Sequence, residues 1–259
     1  MCIRDSAITM LVPQTLPRIK AGDDLAVLIL TALNADGVRL QTRDIVVVAQ
    51  KIVSKAEGRQ RDLGAVMPSQ EARDLAEKTA KDPRLLEVVL QESTEVLRAR
   101  RDVCIVEHRL GHIMANAGID HSNLAAPAEG DDQILLLPED PDRSARDLRQ
   151  RFEAEGAAQI GVIVSDSFGR PWRIGSTGVA IGIAGPAAVI DRRGETDLFG
   201  RRLDSTEIAF ADAVAAAAVL VMGEAAEGSP VVVIRGIDWA DSGQRAADVL
   251  RPRKMDMFR

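Results

Sequence analysis

Residues 160–185 read IGVIVSDSFGRPWRIGSTGVAIGIAG, and this stretch sets the class of fold. The β-branched run Ile160–Val164 has the composition of a buried strand. Ser165-Asp166-Ser167 follows at once, a polar cluster that predicts the strand's end. Gly169, Arg170 and Pro171 predict a break, and two glycine turns are expected at Gly175–Gly178 and Gly182–Gly185. A carboxylate and two hydroxyls at a strand's end, with an arginine close by, suit a divalent cation and a phosphate. The same residues suit a capped turn, because Asp and Ser bond readily to nearby backbone. The local pattern leaves both readings open.

Further strands are predicted on either side of this stretch. Asp44 opens the buried strand Ile45–Ala49, which hands over to the polar residues Gln50, Lys51, Ser54 and Lys55. Val103–Glu107, Ile134–Leu137 (after a turn at Gly130-Asp131-Asp132) and Val231–Ile234 are the other apolar strands. Asp23 or Asp24 is placed to cap a helix running through Leu33. Helical spacing covers Ser69–Lys81 and continues over Pro83–Arg100 through Leu85, Val88, Val89, Val96 and Leu97. Ser144–Glu155 reads as an amphipathic helix, and Asp204–Met222 as a long Ala-rich one ending in the loop Gly223–Gly228. The chain is therefore mixed α/β (α+β), with strands that run into polar or Gly-rich loops, where such folds build sites. Residues 1–9, MCIRDSAIT, lack this periodicity and read as a leader before Met10; residues 10–245 form the body, and 246–259 a charged, peripheral tail.

Composition narrows the function. A net charge of −6 without a basic stripe argues against a nucleic-acid surface, and 3% aromatics with no Tyr leaves little for stacking bases. Cys2 and Cys104 have no metal or redox spacing, which fits a reducing, cytoplasmic setting. No apolar run is long enough for a bilayer, and the N-terminus lacks signal-peptide organisation. Walker A, GxGxxG and GxSxG patterns are absent.

Four polar clusters remain: Asp120 to Asn123, Asp166-Ser167, Glu224 with Glu227, and Asp140 with Asp142. The first three have the oxygen chemistry that Mg²⁺ or Mn²⁺ takes, whereas Asp140 and Asp142 are expected to cap the helix that follows. Lys51 and Lys55 lie just past a strand end, as phosphate contacts or as one solvated helix face. Arg170 and Arg173 flank Trp172, to bind an anion or to lie over an aromatic surface. His108, His112 and His121 are too irregularly spaced for a zinc motif; the first two read as structural or peripheral, and His121 stands beside Asp120.

Taken together, LPRIKAGDDL (16–25), QKIVSKAEGR (50–59), ESTEVLR (92–98), NAGIDHSN (116–123), SDSFGRPWRIGSTGVAIGIAG (165–185), DLFGRRL (197–203) and MGEAAEG (222–228) resemble the coenzyme F420-0:L-glutamate ligases, the gamma-glutamyl ligases of deazaflavin biosynthesis. The likeness spans about residues 11 to 240. It implies the family's α/β fold with two subdomains and an intertwined homodimer, without the nitroreductase-like domain that some relatives carry. It also implies GTP as co-substrate, two Mg²⁺ or Mn²⁺ ions and a monovalent cation. By position, the nucleotide contacts would be Leu16, Pro17, Arg18, Ile19, Gln50, Lys51, Lys55, Asn123 and the loop Met222, Gly223, Glu224, Ala225, Ala226, Glu227, Gly228 and Ser229. Metal ligands would be Asp120, Asp166, Ser167 and Glu224, with Asp120, Asp166 and Glu224 carrying the catalysis. Gln50-Lys51 stands where some relatives have a small hydroxyl pair, and EAAEG where others have more Gly and an Asp.

The implied chemistry is activation of a carboxylate by phosphoryl transfer, then attack by the glutamate amine on an acyl phosphate. Arg170 or Arg173 would orient an acidic substrate, and Glu227 or His121 would take the amine's proton. Two rivals use the same residues: a metal-dependent nucleotide phosphohydrolase, and a non-catalytic nucleotide- or deazaflavin-binding protein whose acidic loops are only caps.

Overall fold

The computed structural model describes residues 7–121, 132–156 and 159–257. The chain opens with β1 (Thr9–Leu11), α1 (Leu25–Ala35), β2 (Ile45–Ala49) and α2 (Gln50–Ala56). It continues through β3 (Gln60–Asp62), α3 (Gln70–Thr79), α4 (Pro83–Gln91), β4 (Ser93–Arg100), β5 (Val103–His108), β6 (Ile113–Ala115) and β7 (Gln133–Leu135). The last part holds α5 (Pro141–Ala154), β8 (Gly161–Gly169), β9 (Ser176–Ala184), β10 (Val189–Asp191), β11 (Glu207–Ala209), α6 (Phe210–Met222) and β12 (Val231–Arg235).

Helix starts follow the sequence. The side chains of Asp24, Ser69, Asp82 and Asp140 each accept a backbone N–H in the first turn of α1, α3, α4 and α5, and Pro83 and Pro141 fill first helical positions that need no donor. Asp140 is thus the expected cap. Asp142 is not: its carboxylate accepts from the amides of Ile183 and Ala246, tying α5 to β9 and to the C-terminal segment.

The main sheet has the order β1-β12-β2-β8-β9, with β2 and β8 parallel and the other neighbours antiparallel. Its central strands are apolar along the length they share because both faces are covered there. Val46, Val48, Val162, Val164, Val231 and Val233 face a core with Ile29 and Leu33 of α1 and Leu148 and Phe152 of α5. Ile45, Val47, Ile163, Val232 and Ile234 face the other way, against Ala211, Val214, Ala215 and Ala218 of α6. Trp239 and Ala246, the latter in the charged tail, are buried in that second core, and the Trp239 indole N–H donates to the Arg43 carbonyl. A third core gathers Leu75, Leu86, Val89, Val106 and Ile134 beneath α3 and α4, beside the small sheets β4-β5-β6 and β3-β7.

Several boundaries differ from expectation, each for a tertiary reason. The helix expected over Pro83–Arg100 stops at Gln91, and residues 93–100 pair with β5 as a strand, joined to it through Asp102 in the left-handed region. The helix expected from Asp204 begins at Phe210, because Glu207–Ala209 pairs with Val189–Asp191 at the base of a hairpin arm tipped by Leu198 and Phe199. Thr9, set apart with the leader, pairs with Arg235.

The strand at Ile160–Val164 does not end at the polar cluster: β8 continues to Gly169, paired only with β9 once β2 has ended. Of the glycines that follow, Gly175 does turn the chain, at the β8–β9 hairpin tip with φ of 93°, but two do not. Gly178 and Gly182 lie within β9, at places where a Cβ would collide with the carbonyl oxygens of Ala215 in α6 and Pro141 in α5. The β9 amides of Ala180 and Ile183 are taken by Asp212 and Asp142, which blunts an otherwise open sheet edge.

Candidate functional site

The parallel pair β2 and β8 ends with Ala49 beside Ser165. At this end β2 passes straight into α2, so Gln50 and Lys51 leave from the strand's tip, while β8 runs on and carries Asp166 and Ser167 beyond it. The loop after α6 returns to the same place, where the Ala49 amide donates to the Pro230 carbonyl at 2.8 Å. Asp120 arrives from the small-sheet side. Its amide and carbonyl exchange 2.9 Å bonds with Leu135, one residue on from Asn116, Ala117 and Gly118, three residues in succession with left-handed φ of 51, 53 and 66°. Two of these are not glycine, so backbone strain is held next to Asp120.

Side chains converge from four segments. Gln50 Nε2 donates to Asp120 Oδ2 at 3.1 Å, and Lys51 Nζ lies 3.2 Å from Asp120 Oδ1. The Ser167 amide donates to Asp166 Oδ1 at 2.8 Å, and the Ser167 hydroxyl donates to Glu224 Oε2 at 2.7 Å. Burial, with the like charges of Asp120 and Glu224, lifts the Asp166 carboxyl to about 7 against the opposing pull of the Ser167 amide and Lys51. On the other side, burial and the neighbouring cations Lys51 and Arg18 push the Lys55 ammonium down, against Asp120. Carboxylates repelling one another thus stand beside ammonium and guanidinium groups doing the same. Such a site is relieved by an anion on its basic side and a cation on its acidic side.

The donors are carboxylates and a hydroxyl, which fit a hard divalent cation. Among the described residues no three acidic, His or Cys side chains stand as a ready ligand cluster, and Asp120 is held by Gln50 and Lys51. Leu16 and Ile19 anchor their segment in the core and leave Pro17 and Arg18 exposed. Met222 is buried at the end of α6, whereas Glu224 to Gly228 are exposed and Ser229 is half-buried. Glu227 folds back so that its carboxylate accepts the Ala225 amide at 2.8 Å, and backbone N–H groups hold it below the usual range. Arg170 Nη1 donates to the Gly175 carbonyl at the β8–β9 hairpin tip, where Arg173 is exposed. His121 is exposed beside Asp120, and Asn123 lies outside the described residues.

The family model described as F420-0:Gamma-glutamyl ligase matches residues 14–236. A coenzyme F420:L-glutamate ligase of Methanothermobacter thermautotrophicus is 46% identical over 97% of this chain and 99% of its own length. Those of Methanopyrus kandleri and Methanocaldococcus jannaschii are 44% and 43% identical, over 93% and 85% of this chain and 94% and 86% of their own. This chain belongs to the F420-0:gamma-glutamyl ligase family. Membership makes it an enzyme of the ligase class.

For a member of this ligase family, the structure also shows what residue-by-residue reading passed over. Gln50 touches Asp120 directly, and the Ser54 hydroxyl donates to Gln50 Oε1 at 2.9 Å. Two polar residues four apart on the buried side of QKIVSKA were the available signal. His108 and His112 are both buried, His108 against Glu92 and His112 edge-on to Phe168, which makes them structural. Among the described residues, no helix is long and apolar enough to cross a membrane.

Proposed function

We propose that this ligase joins L-glutamate through an amide bond to the carboxylate of coenzyme F420-0, with GTP as the phosphoryl donor, in the cytoplasm. The observation that carries the reading is the opposed pair of charge clusters at one sheet end, Arg18, Lys51 and Lys55 facing Asp120, Asp166 and the Ser167–Glu224 pair, in a chain whose relatives are named for this reaction.

The chemistry asks for such a place. A carboxylate does not condense with an amine in water, so one carboxylate oxygen first takes the γ-phosphoryl group and GDP leaves. The amine then attacks the acyl carbon, inorganic phosphate departs and the amine's proton passes to a base. Arg18, Lys51 and Lys55 offset the nucleotide's charge, with Leu16, Pro17, Ile19, Gln50, Asn123 and the loop Met222 to Ser229 around it. Asp120, Asp166, Ser167 and Glu224 hold one or two Mg²⁺ or Mn²⁺ ions, which supply charge neutralisation and alignment of the phosphates. His121, exposed beside Asp120, is the better-placed base, because the Glu227 carboxylate is spent on the Ala225 amide. Arg170 and Arg173 meet the anionic substrates from the hairpin tip.

The core of α3, α4 and the small sheets forms a second subdomain, and two copies form an intertwined homodimer. Trp172 and Ile174 on one hairpin tip and Leu198 and Phe199 on the other are almost wholly exposed, an apolar surface that a second copy covers.

Incubation with GTP, Mn²⁺, L-glutamate and coenzyme F420-0, followed by mass spectrometry, tests the reading. One added glutamate per GDP is expected. GDP formed regardless of glutamate and F420-0 would instead establish a phosphohydrolase, and binding without turnover a carrier.

A further inference from the structure

We infer that Ser54 is a positioning residue for Asp120, acting through Gln50. The inference rests on the reading above, in which Asp120 serves a divalent cation.

Ser54 and Gln50 are both buried, at 0% and 2% exposure, in a site otherwise open to substrates. A serine hydroxyl inside a helix commonly bonds back to the carbonyl four residues earlier. Here the Ser54 hydroxyl bonds the side chain of that residue instead, donating to Gln50 Oε1 at 2.9 Å. The far end of the amide, Nε2, donates to Asp120 Oδ2 at 3.1 Å. Each link fixes the next. A carboxylate only accepts, so Gln50 must present its NH₂ to Asp120; its oxygen is then turned to Ser54, which must donate.

The Asp120 backbone is already clamped by its two bonds to Leu135, which leaves side-chain rotation as its remaining freedom. The buried amide fixes Oδ2. Oδ1 faces the half-exposed Lys51 ammonium at 3.2 Å, a long, flexible partner that a cation displaces more readily than a buried one. Asp120 is therefore fixed through Oδ2 by a buried, oriented donor, and through Oδ1 it meets a mobile one. Without the Ser54 hydroxyl, Gln50 Oε1 is buried with no donor, the amide gains a second orientation, and that orientation sets oxygen against carboxylate.

The test is Mn²⁺ binding to the intact protein, followed by electron paramagnetic resonance of free Mn²⁺, with no other substrate present. Asp120→Asn serves as reference, alongside Ser54→Ala, Ser54→Cys, Gln50→Met and the Ser54→Ala/Gln50→Met double variant. Asp120→Asn is expected to lose binding. Ser54→Ala should weaken it about five- to tenfold, the effect of one lost buried hydrogen bond. Ser54→Cys, which keeps the volume and a weak donor, should fall between, and covers the case in which the alanine variant does not fold. The deciding result is the double variant, which should bind no more weakly than Gln50→Met alone, because Ser54 has nothing left to orient. An additive loss, or wild-type binding by Ser54→Ala and Ser54→Cys while Asp120→Asn binds none, overturns the inference and leaves the cation reading intact. Unchanged binding by Asp120→Asn overturns that reading itself.

Discussion

Gly178 of β9 lies against the Ala215 carbonyl of α6, with no room for a Cβ between them. Gly182 meets the Pro141 carbonyl of α5 in the same way on the same strand. The two helices thus reach β9 at its glycines, and each sends an aspartate, Asp212 or Asp142, to a β9 amide nearby. Backbone atoms cannot swing aside as a side chain can, so Gly178→Ala and Gly182→Ala should each cost about 1–3 kcal/mol or more by overpacking. Urea denaturation of the two variants checks this. Gly175→Ala, at an open hairpin tip with φ of 93°, should cost less than either, through backbone conformation alone.

Those glycines also show where the sequence was legible. Strands such as Ile45–Ala49 and helix starts such as Asp24, Ser69 and Asp140 could be read because composition and capping are local. Gly178 and Gly182 were misread as turns because their cause lies in helices 37 and 41 residues away, at Ala215 and Pro141. The extension of β8 through Asp166 was hidden for a similar reason: the pairing partner of its polar residues is β9, which those glycines disguised. In the site, residue types revealed the carboxylates and lysines. The contact between Gln50 and Asp120 spans 70 positions and leaves no local trace.

The contributions of two buried groups to stability should fall in acid, in two adjoining windows. His112 is buried, and this, with His108 beside it, pulls its imidazole down to about 4 from 6.5. At His112 the unfolded chain therefore binds a proton between pH 6.5 and 4 that the folded chain refuses, and this group's contribution drops there by up to about 1.4 kcal/mol per pH unit. Glu92 follows: burial opposes its ionisation, yet His108, Arg109 and Arg59 hold it down to about 2 from 4.5. Its contribution is complete above pH 4.5 and lost towards 2. Asp166, raised to about 7, works the other way across the upper window. In denaturation at a series of pH values, the His112 slope is therefore read as the difference in stability between the parent and His112→Phe, beside Phe168, at each pH, while the lower slope shows in both proteins. An upper slope unchanged in that variant would assign it to other groups.

The proposed homodimer rests on apolar tips that are exposed in the single chain. Leu198→Asp with Phe199→Asp places two charges at the end of the arm, where they cost nothing in the isolated chain and several kcal/mol in an apolar interface. Light scattering should report a dimer for the parent and a monomer for the variant, with far-UV circular dichroism unchanged. A parent that is monomeric at the highest accessible concentration removes the intertwined dimer from the reading.

Asp166 separates stability from activity most sharply. Burial and the fields of Asp120 and Glu224 make its negative charge costly in the free protein, which is why its carboxyl is raised to about 7. Asp166→Asn keeps the shape and an oxygen acceptor for the Ser167 amide while removing that charge. The variant should therefore be as stable as the parent or more so, and ligation should fall by at least about 10²–10³-fold, as when a preorganised electrostatic group is lost. The two readouts pull in opposite directions only if the charge is kept for substrates rather than for folding. Near-normal turnover with GTP, Mn²⁺ and glutamate would strike Asp166 from the site. A large loss of stability alongside lost turnover would mean that the carboxylate is structural after all.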